Sequence, residues 1–220
     1  MIAYSIASAQ ESGLFQRIVV STDSAEYAEI ARYYGAETPF LRPAEFATST
    51  SPDIEWINHA LDAIGPGFDA LTILRPTSPF RSATTIHRAW QRLRSLPGVD
   101  SVRAVEKVRQ HPGKTWVVSE DRDTMRPLLD QSHLKVAWHA GQYQALPEVY
   151  VQNSSLEIAW IEAIRRTGTR EGKVFAPFFT EGFEGFAFDY EDEWHLAQKY
   201  LEEGRVTLPR IDKAPFALPA

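Results

Sequence analysis

Between Leu74 and Arg81 the chain reads Leu-Arg-Pro-Thr-Ser-Pro-Phe-Arg. Pro76 and Pro79 bracket two hydroxyl residues, Thr77 and Ser78. Each proline fixes its own φ and removes a backbone donor. The spacing predicts a rigid turn that presents both hydroxyls and the Ser78 N–H. Arg75 and Arg81 flank it as fork-shaped donors for phosphate or carboxylate. A proline-rich turn whose hydroxyl caps the next helix accounts for the same spacing equally well. Plain structural readings account for polar residues elsewhere: a surface ion pair of Arg42 with Glu45 or Glu37, a solvated Lys114, a helix cap at Asp53 or Asp189. The six histidines share no metal-ligand spacing, and no Ser-His-Asp arrangement points to hydrolysis.

These residues need elements to position them, and the first half of the chain alternates strand and helix. Ile2 to Ser12 reads as a helix stopped by Gly13. Arg17 to Thr22 is a short β-branched run expected as a buried strand. Ser24 or Asp23 caps a helix bearing Tyr27, Ile30, Ala31 and Tyr34 on one face. Pro52 and Asp53 open another, with Ile54, Ile57, Leu61 and Ile64 aligned. Ala70 to Leu74 and Ser101 to Val105 read as strands around a helix from Ser82 to about Leu96. This order predicts a mostly parallel sheet with helices on both faces. Ligands of such sheets bind beyond the carboxyl ends of the strands, here Ser21-Thr22-Asp23 and Arg75 to Pro79. Residues 108–152 are polar, weakly periodic and interrupted by Pro112, Pro127 and Pro147, and are expected to form a small inserted lobe in a single domain. A strand from Ser155 to Trp160, a helix to Gly168, a strand from Lys173 to Phe179 and a helix from Asp192 to Glu203 complete the chain.

Composition excludes several classes. The 220 residues are 44% hydrophobic and 24% charged, enough for a sizeable core. The absence of cysteine rules out disulfides, zinc-thiolate sites and a cysteine nucleophile. A net charge of −6 without a basic run argues against nucleic acid, and no apolar stretch reaches membrane-spanning length. Ile2 to Ala9 lacks the basic flank and length of a signal peptide, so a cytoplasmic protein is expected.

Three motifs in order, Val19 to Ser24 (VVSTDS), Phe40 to Ala47 (FLRPAEFA) and Leu74 to Arg81 (LRPTSPFR), resemble the acylneuraminate cytidylyltransferases. A fourth, Leu146 to Trp160 (LPEVYVQNSSLEIAW), resembles a divergent bacterial branch of that family. The resemblance covers nearly the whole chain. It implies a Rossmann-like nucleotide-diphospho-sugar transferase fold with a lobe for homodimerisation. It also implies transfer of CMP from CTP to a sialic-acid-like α-keto sugar acid, with Mg2+ at the phosphates. By the same resemblance Arg42, Ser51 and Asp53 face the nucleotide, Lys114 and Asn153 the sugar acid, and Asp189 the metal. Thr77 and Ser78 line the substrate site.

The chain also departs from that pattern. Family members open with a strand and an Arg-Gly-Gly-Ser-Lys-type loop, some twenty residues before the helix in which this sequence starts. No such loop occurs here, so the first, central strand and the triphosphate loop are expected to be missing, leaving an open cleft. Ala187 replaces one aspartate of the family's metal pair, and Arg75 stands where the family has Gln. Arg75 is therefore a candidate for binding the sugar carboxylate. Two alternatives remain open: a nucleotide- or sugar-binding fragment or subunit without turnover, and a nucleotidyltransferase of another substrate class.

Overall fold

The computed structural model describes residues 1–217. They form two compact units, residues 1–105 with 153–217 and residues 106–152. The first unit holds α1 (Ile2–Ser12), α2 (Ala25–Tyr33), α3 (Asp53–Ile64), β1 (Ala70–Ile73) and α4 (Ala83–Arg94). β2 (Ser101–Lys107) leads into the second unit, which contains the short antiparallel pair β3 (Trp116–Val118) and β4 (Met125–Pro127). β5 (Tyr150–Trp160) leads back to α5 (Ile161–Thr167), β6 (Phe175–Phe179) and α6 (Glu191–Glu202).

Local chemistry accounts for most boundaries. Ser24 caps α2 by accepting the Tyr27 N–H at 3.2 Å. Ser82 and Thr85 form a reciprocal capping box at the start of α4. Gly13 ends α1 with φ 62°, a conformation in which a side chain would be strained.

The main sheet has the order β1-β5-β2-β6. It is mixed, which corrects the expectation of a mostly parallel sheet: β2 and β6 run parallel, whereas β1 and β5 are antiparallel. β5 spans eleven residues, from Tyr150 rather than Ser155, and feeds α5 instead of following a crossover helix. The pleat sorts its side chains by face. Leu156 and Ile158 join Ala89 and Leu93 of α4, Val102, Ala104 and Phe178 in one core. Ala159 joins Ile57 and Leu61 of α3 and Ile164 of α5 in the other.

Arg17–Thr22 departs most from expectation. Instead of a buried strand it is half-buried and forms one isolated bridge, Val19 with Glu37. The Val20 N–H donates to the Glu37 carbonyl at 2.9 Å, and the Glu37 N–H to the Ile18 carbonyl at 2.7 Å. A ladder needs consecutive bridges along one partner, and here the pairing stops at a single bridge while the other flank faces a cleft. The cleft, about 250 Å³, separates Ile18–Ser21 from β1 and is floored by Ile6 and Ala9 of α1 and Ala60 and Ile64 of α3.

The tail closes over the opposite side of α2. The Lys213 ammonium donates to the Tyr33 carbonyl, the Tyr33 hydroxyl to the Ala214 carbonyl at 3.1 Å, and the Phe216 N–H to the Tyr34 hydroxyl at 3.1 Å. The Phe216 ring packs edge-on against Tyr33.

Candidate functional site

The polar end of the cleft is lined by Ser21, Arg42, Trp56, Arg75 and Pro76. Arg42 is anchored at its backbone, where its N–H donates to the Thr22 carbonyl at 2.8 Å. Its guanidinium donates from Nε to the Ser21 hydroxyl at 3.1 Å and from NH2 to the Ser21 carbonyl at 2.7 Å. The same guanidinium lies 5.0 Å from the centre of the Trp56 ring, within cation–π range. Burial lowers its pKa, against the opposing pull of Asp23 and Asp53. Glu37, one of the two acids considered as a surface partner for Arg42, pairs with Arg17 instead.

Asp53 does not cap its helix; Pro52 occupies the cap position and Asp53 is the first helical residue. Its Oδ1 accepts the Trp56 indole N–H at 2.8 Å. Its Oδ2 accepts Arg75 NH2 at 2.6 Å and also Arg170 NH1. Arg170 Nε in turn lies 3.6 Å from Glu157 Oε2, which also holds Arg103 at 3.0 Å. Arg75, expected as a free donor, is thus the outer cation of an alternating chain of charges. Its side chain remains about a third exposed.

Burial alone would raise the Asp53 pKa. The Trp56 hydrogen bond and the Arg75 and Arg170 guanidiniums outweigh that and hold it below the ordinary carboxylate range. The sign for stability follows. The unfolded chain binds the proton more readily, so the contribution of Asp53 is complete above about pH 4 and is lost as pH falls through the lowered value. In Asp53→Asn the fall of the thermal midpoint between about pH 5 and pH 3 is expected to be shallower than in the parent. Parallel curves in a pH series of melting scans would contradict that assignment.

The turn after β1, expected to present its hydroxyls, faces inward at Ser78. Ser78 is 1% exposed and its N–H donates to the Arg75 carbonyl at 3.3 Å, so neither its hydroxyl nor its amide is presented. Arg81, expected as a flanking donor, is likewise 1% exposed. Thr77 is half-buried, and its carbonyl accepts the Phe188 N–H at 3.0 Å. That bond brings the segment ending in Asp189 alongside the turn.

Three further contacts hold this segment. Glu184 accepts from Thr85 Oγ1 at 2.7 Å and Arg88 NH1 at 2.8 Å on α4. Phe186 stacks between Phe80 and Phe188. Glu193 accepts the Asp189 N–H at 2.6 Å and the Tyr190 N–H at 2.9 Å. Tyr190, not Asp189, is the cap of α6. The Asp189 carboxylate is exposed and, among the described residues, takes no hydrogen bond or ion pair. The Phe188 and Trp194 rings lie 5.3 Å apart at the start of α6, although Trp194 is exposed.

The remaining candidates sit elsewhere. The Ser51 hydroxyl donates to the Glu45 carbonyl at 2.8 Å and accepts the Thr48 N–H at 3.2 Å, which shapes the loop before α3. Asn153 donates from Nδ2 to Thr180 Oγ1 at 2.9 Å and accepts the Ser155 N–H at 3.2 Å. Lys114 belongs to the second unit, where its ammonium donates to the carbonyls of Gly141 at 2.8 Å and His139 at 3.3 Å.

Sequence reasoning pointed to Ser21 only as part of the Ser21–Asp23 strand exit and missed Trp56 as a site residue. Trp56 stands three positions after Asp53, which places both on one helix face. That spacing was the available signal.

No group of three His, Cys, Asp or Glu side chains able to hold a metal occurs among the described residues. Asp189, next to Phe188, which is bonded to the turn, offers an exposed carboxylate without a partner among the described residues. One or two carboxylates with waters and substrate phosphates is the usual ligand set of Mg2+, so the residues fit that ion and not an all-protein metal cage.

Residues 1–152 match the cytidylyltransferase family. The chain is 30% identical over 206 residues to a CMP-N,N'-diacetyllegionaminic acid synthase of Legionella pneumophila, covering 92% of this chain and 85% of that protein. It is 38% identical over 107 residues to an N-acylneuraminate cytidylyltransferase of Escherichia coli, covering 49% of this chain but only 25% of that longer protein. Among solved structures, a CMP:2-keto-3-deoxy-manno-octonic acid synthetase complexed with CTP superposes with a TM-score of 0.57 at 9% identity, covering 91% of this chain and 88% of the other. At that identity the likeness is one of fold. No helix among the described residues is long and apolar enough to cross a membrane.

Proposed function

The chain belongs to the cytidylyltransferase family, and we propose that it transfers CMP from CTP to a nine-carbon α-keto sugar acid of the sialic and legionaminic class. The observation that carries this reading is Arg42. It is fixed by Ser21, stacked on Trp56 and set beside the Asp53–Arg75 pair at the polar end of the cleft. A pre-oriented planar fork of this kind recognises carboxylate, phosphate or the carbonyl edge of a base.

In the proposed reaction the anomeric hydroxyl of the acid attacks the α-phosphorus of CTP. An O–P bond forms, the bond to the oxygen bridging the α- and β-phosphates breaks, pyrophosphate leaves with that electron pair, and the hydroxyl proton passes to solvent water. Such chemistry depends mainly on positioning and charge neutralisation. Arg42 and Ser21 orient the nucleotide, with Ser51 and Asp53 shaping the base side through the loop before α3. Thr77 lines the phosphate side. Arg75 meets the acid's carboxylate, and Asn153 and Lys114 are assigned to the sugar acid on their motifs. Asp189 would hold Mg2+ together with phosphate oxygens and water, and the ion supplies charge neutralisation at the phosphates. Homodimerisation and a cytoplasmic location are part of the same proposal.

The test is pyrophosphate release with CTP, UTP, ATP and GTP, each against N-acetylneuraminic, legionaminic, pseudaminic and ketodeoxyoctonic acids. Release with CTP and one of these acids is expected. CTP binding without release would favour a binding subunit, and preference for another nucleotide would favour a different transferase.

A further inference from the structure

Arg81 is the bulkiest of the fully buried side chains among the described residues, yet no carboxylate there lies within ion-pair distance of it. NH1 donates to the Ser155 carbonyl and, at 3.4 Å, to the Arg75 carbonyl, while NH2 donates to Ser5 Oγ at 2.8 Å. Nε has no partner, and neither do the buried hydroxyls of Ser78 and Ser155. Burial pushes the guanidinium down to about 9, so it is still a cation at neutral pH. A fully buried arginine is ordinarily paired with an acid, because an uncompensated charge in a low-dielectric interior is costly.

Its surroundings connect this cation to the cleft. Ser5 lines the cleft with Arg75 and Pro76, so one hydroxyl separates the guanidinium from the cavity. The Arg75 carbonyl is the acceptor for three donors, the Ser78 N–H, Arg81 NH1 and Ser5 Oγ. Arg81 and Ser5 together therefore fix the turn that carries Arg75 and Thr77. Because the guanidinium is enclosed by protein, its charge is weakly screened.

We infer that Arg81 is a positioning and counter-charge residue for the phosphates of the bound nucleotide. It acts through the Ser5 hydroxyl and the Arg75 carbonyl, and its unpaired charge is balanced when an anion enters the cleft. The inference rests on the nucleotide reading above. It predicts an effect that scales with ligand charge, whereas a purely structural tie would affect charged and uncharged ligands alike.

The experiment is calorimetric titration of the parent chain, Arg81→Met, Arg81→Lys, Ser5→Ala and Ser8→Ala with CTP and with cytidine. Melting scans of each variant report folding. Ser8 is the control, a buried neighbour on α1 whose hydroxyl donates only to the Ser5 carbonyl at 3.1 Å. The ratio of CTP to cytidine affinity is expected to fall about tenfold or more in Arg81→Met, and about threefold in Ser5→Ala and Arg81→Lys. It stays unchanged in Ser8→Ala. Unchanged ratios in folded Ser5→Ala and Arg81→Lys overturn the inference even if Arg81→Met does not fold. Failure of the parent chain to bind CTP overturns the nucleotide reading itself, and this inference with it.

Discussion

Asp189→Asn is expected to lower turnover of CTP by about 100-fold or more while leaving the melting temperature within a degree or two of the parent. The asymmetry follows from how Asp189 is held. Its backbone is fixed by Glu193, by the bond between Phe188 and Thr77 and by the Phe80–Phe186–Phe188 stack, while its carboxylate has no protein partner among the described residues. Removing the charge therefore costs the fold almost nothing. Because Ala187 contributes no second carboxylate, the site has no protein ligand to fall back on. Steady-state assays over a range of Mg2+ concentrations are the check. Partial rescue of Asp189→Asn at high Mg2+ fits the proposed role, and turnover equal to the parent at all concentrations would exclude it.

Arg42→Ala is expected to weaken CTP binding about 10- to 100-fold, the range of one to two charge-assisted hydrogen bonds. Arg42→Lys is expected to recover little of that, since an ammonium cannot both span Ser21 and stack on Trp56 as the planar fork does. The loss appears in the affinity for CTP, with a smaller change in kcat, if Arg42 serves ground-state binding. Equilibrium binding of CTP to the two variants decides this. Arg42→Lys binding as tightly as the parent would show that only the charge matters.

Much of the architecture was legible because each helix carries its own punctuation. Ser24, Ser82, Gly13 and Gly168 mark ends that the structure reproduces within a residue or two. Strand direction was not legible. Nothing in Leu156-Glu157-Ile158-Ala159-Trp160 says that it runs antiparallel to β1, since the pleat sorts residues by face whichever way the strand runs. Arg17–Thr22 has strand composition without a strand's partners, and pairing is a property of the neighbours, not of the segment.

The site divides in the same way. Arg75 and Thr77 were identifiable by type and spacing, Arg42 and Asp53 by motif resemblance, and the structure gathers Arg42, Asp53 and Arg75 at one end of one cleft. What spacing could not convey is which donors are already engaged. Arg75 is held by Asp53, Ser78 is turned inward, and Arg81 is enclosed entirely. Those outcomes depend on Ser5, Ser155 and Arg170, which lie far from the motif in sequence.

The clasp of the tail on α2 bears on how the molecule assembles. Lys213, Ala214 and Phe216 meet Tyr33 and Tyr34 across 180 to 182 residues of intervening chain. Contacts of such long range carry the largest loop-closure entropy and are among the last to become favourable as a chain folds. The sheet must already hold the intervening residues in place before the tail can dock. The clasp is therefore expected to form late and to loosen before the sheet core on unfolding, an order that pulsed hydrogen exchange would check.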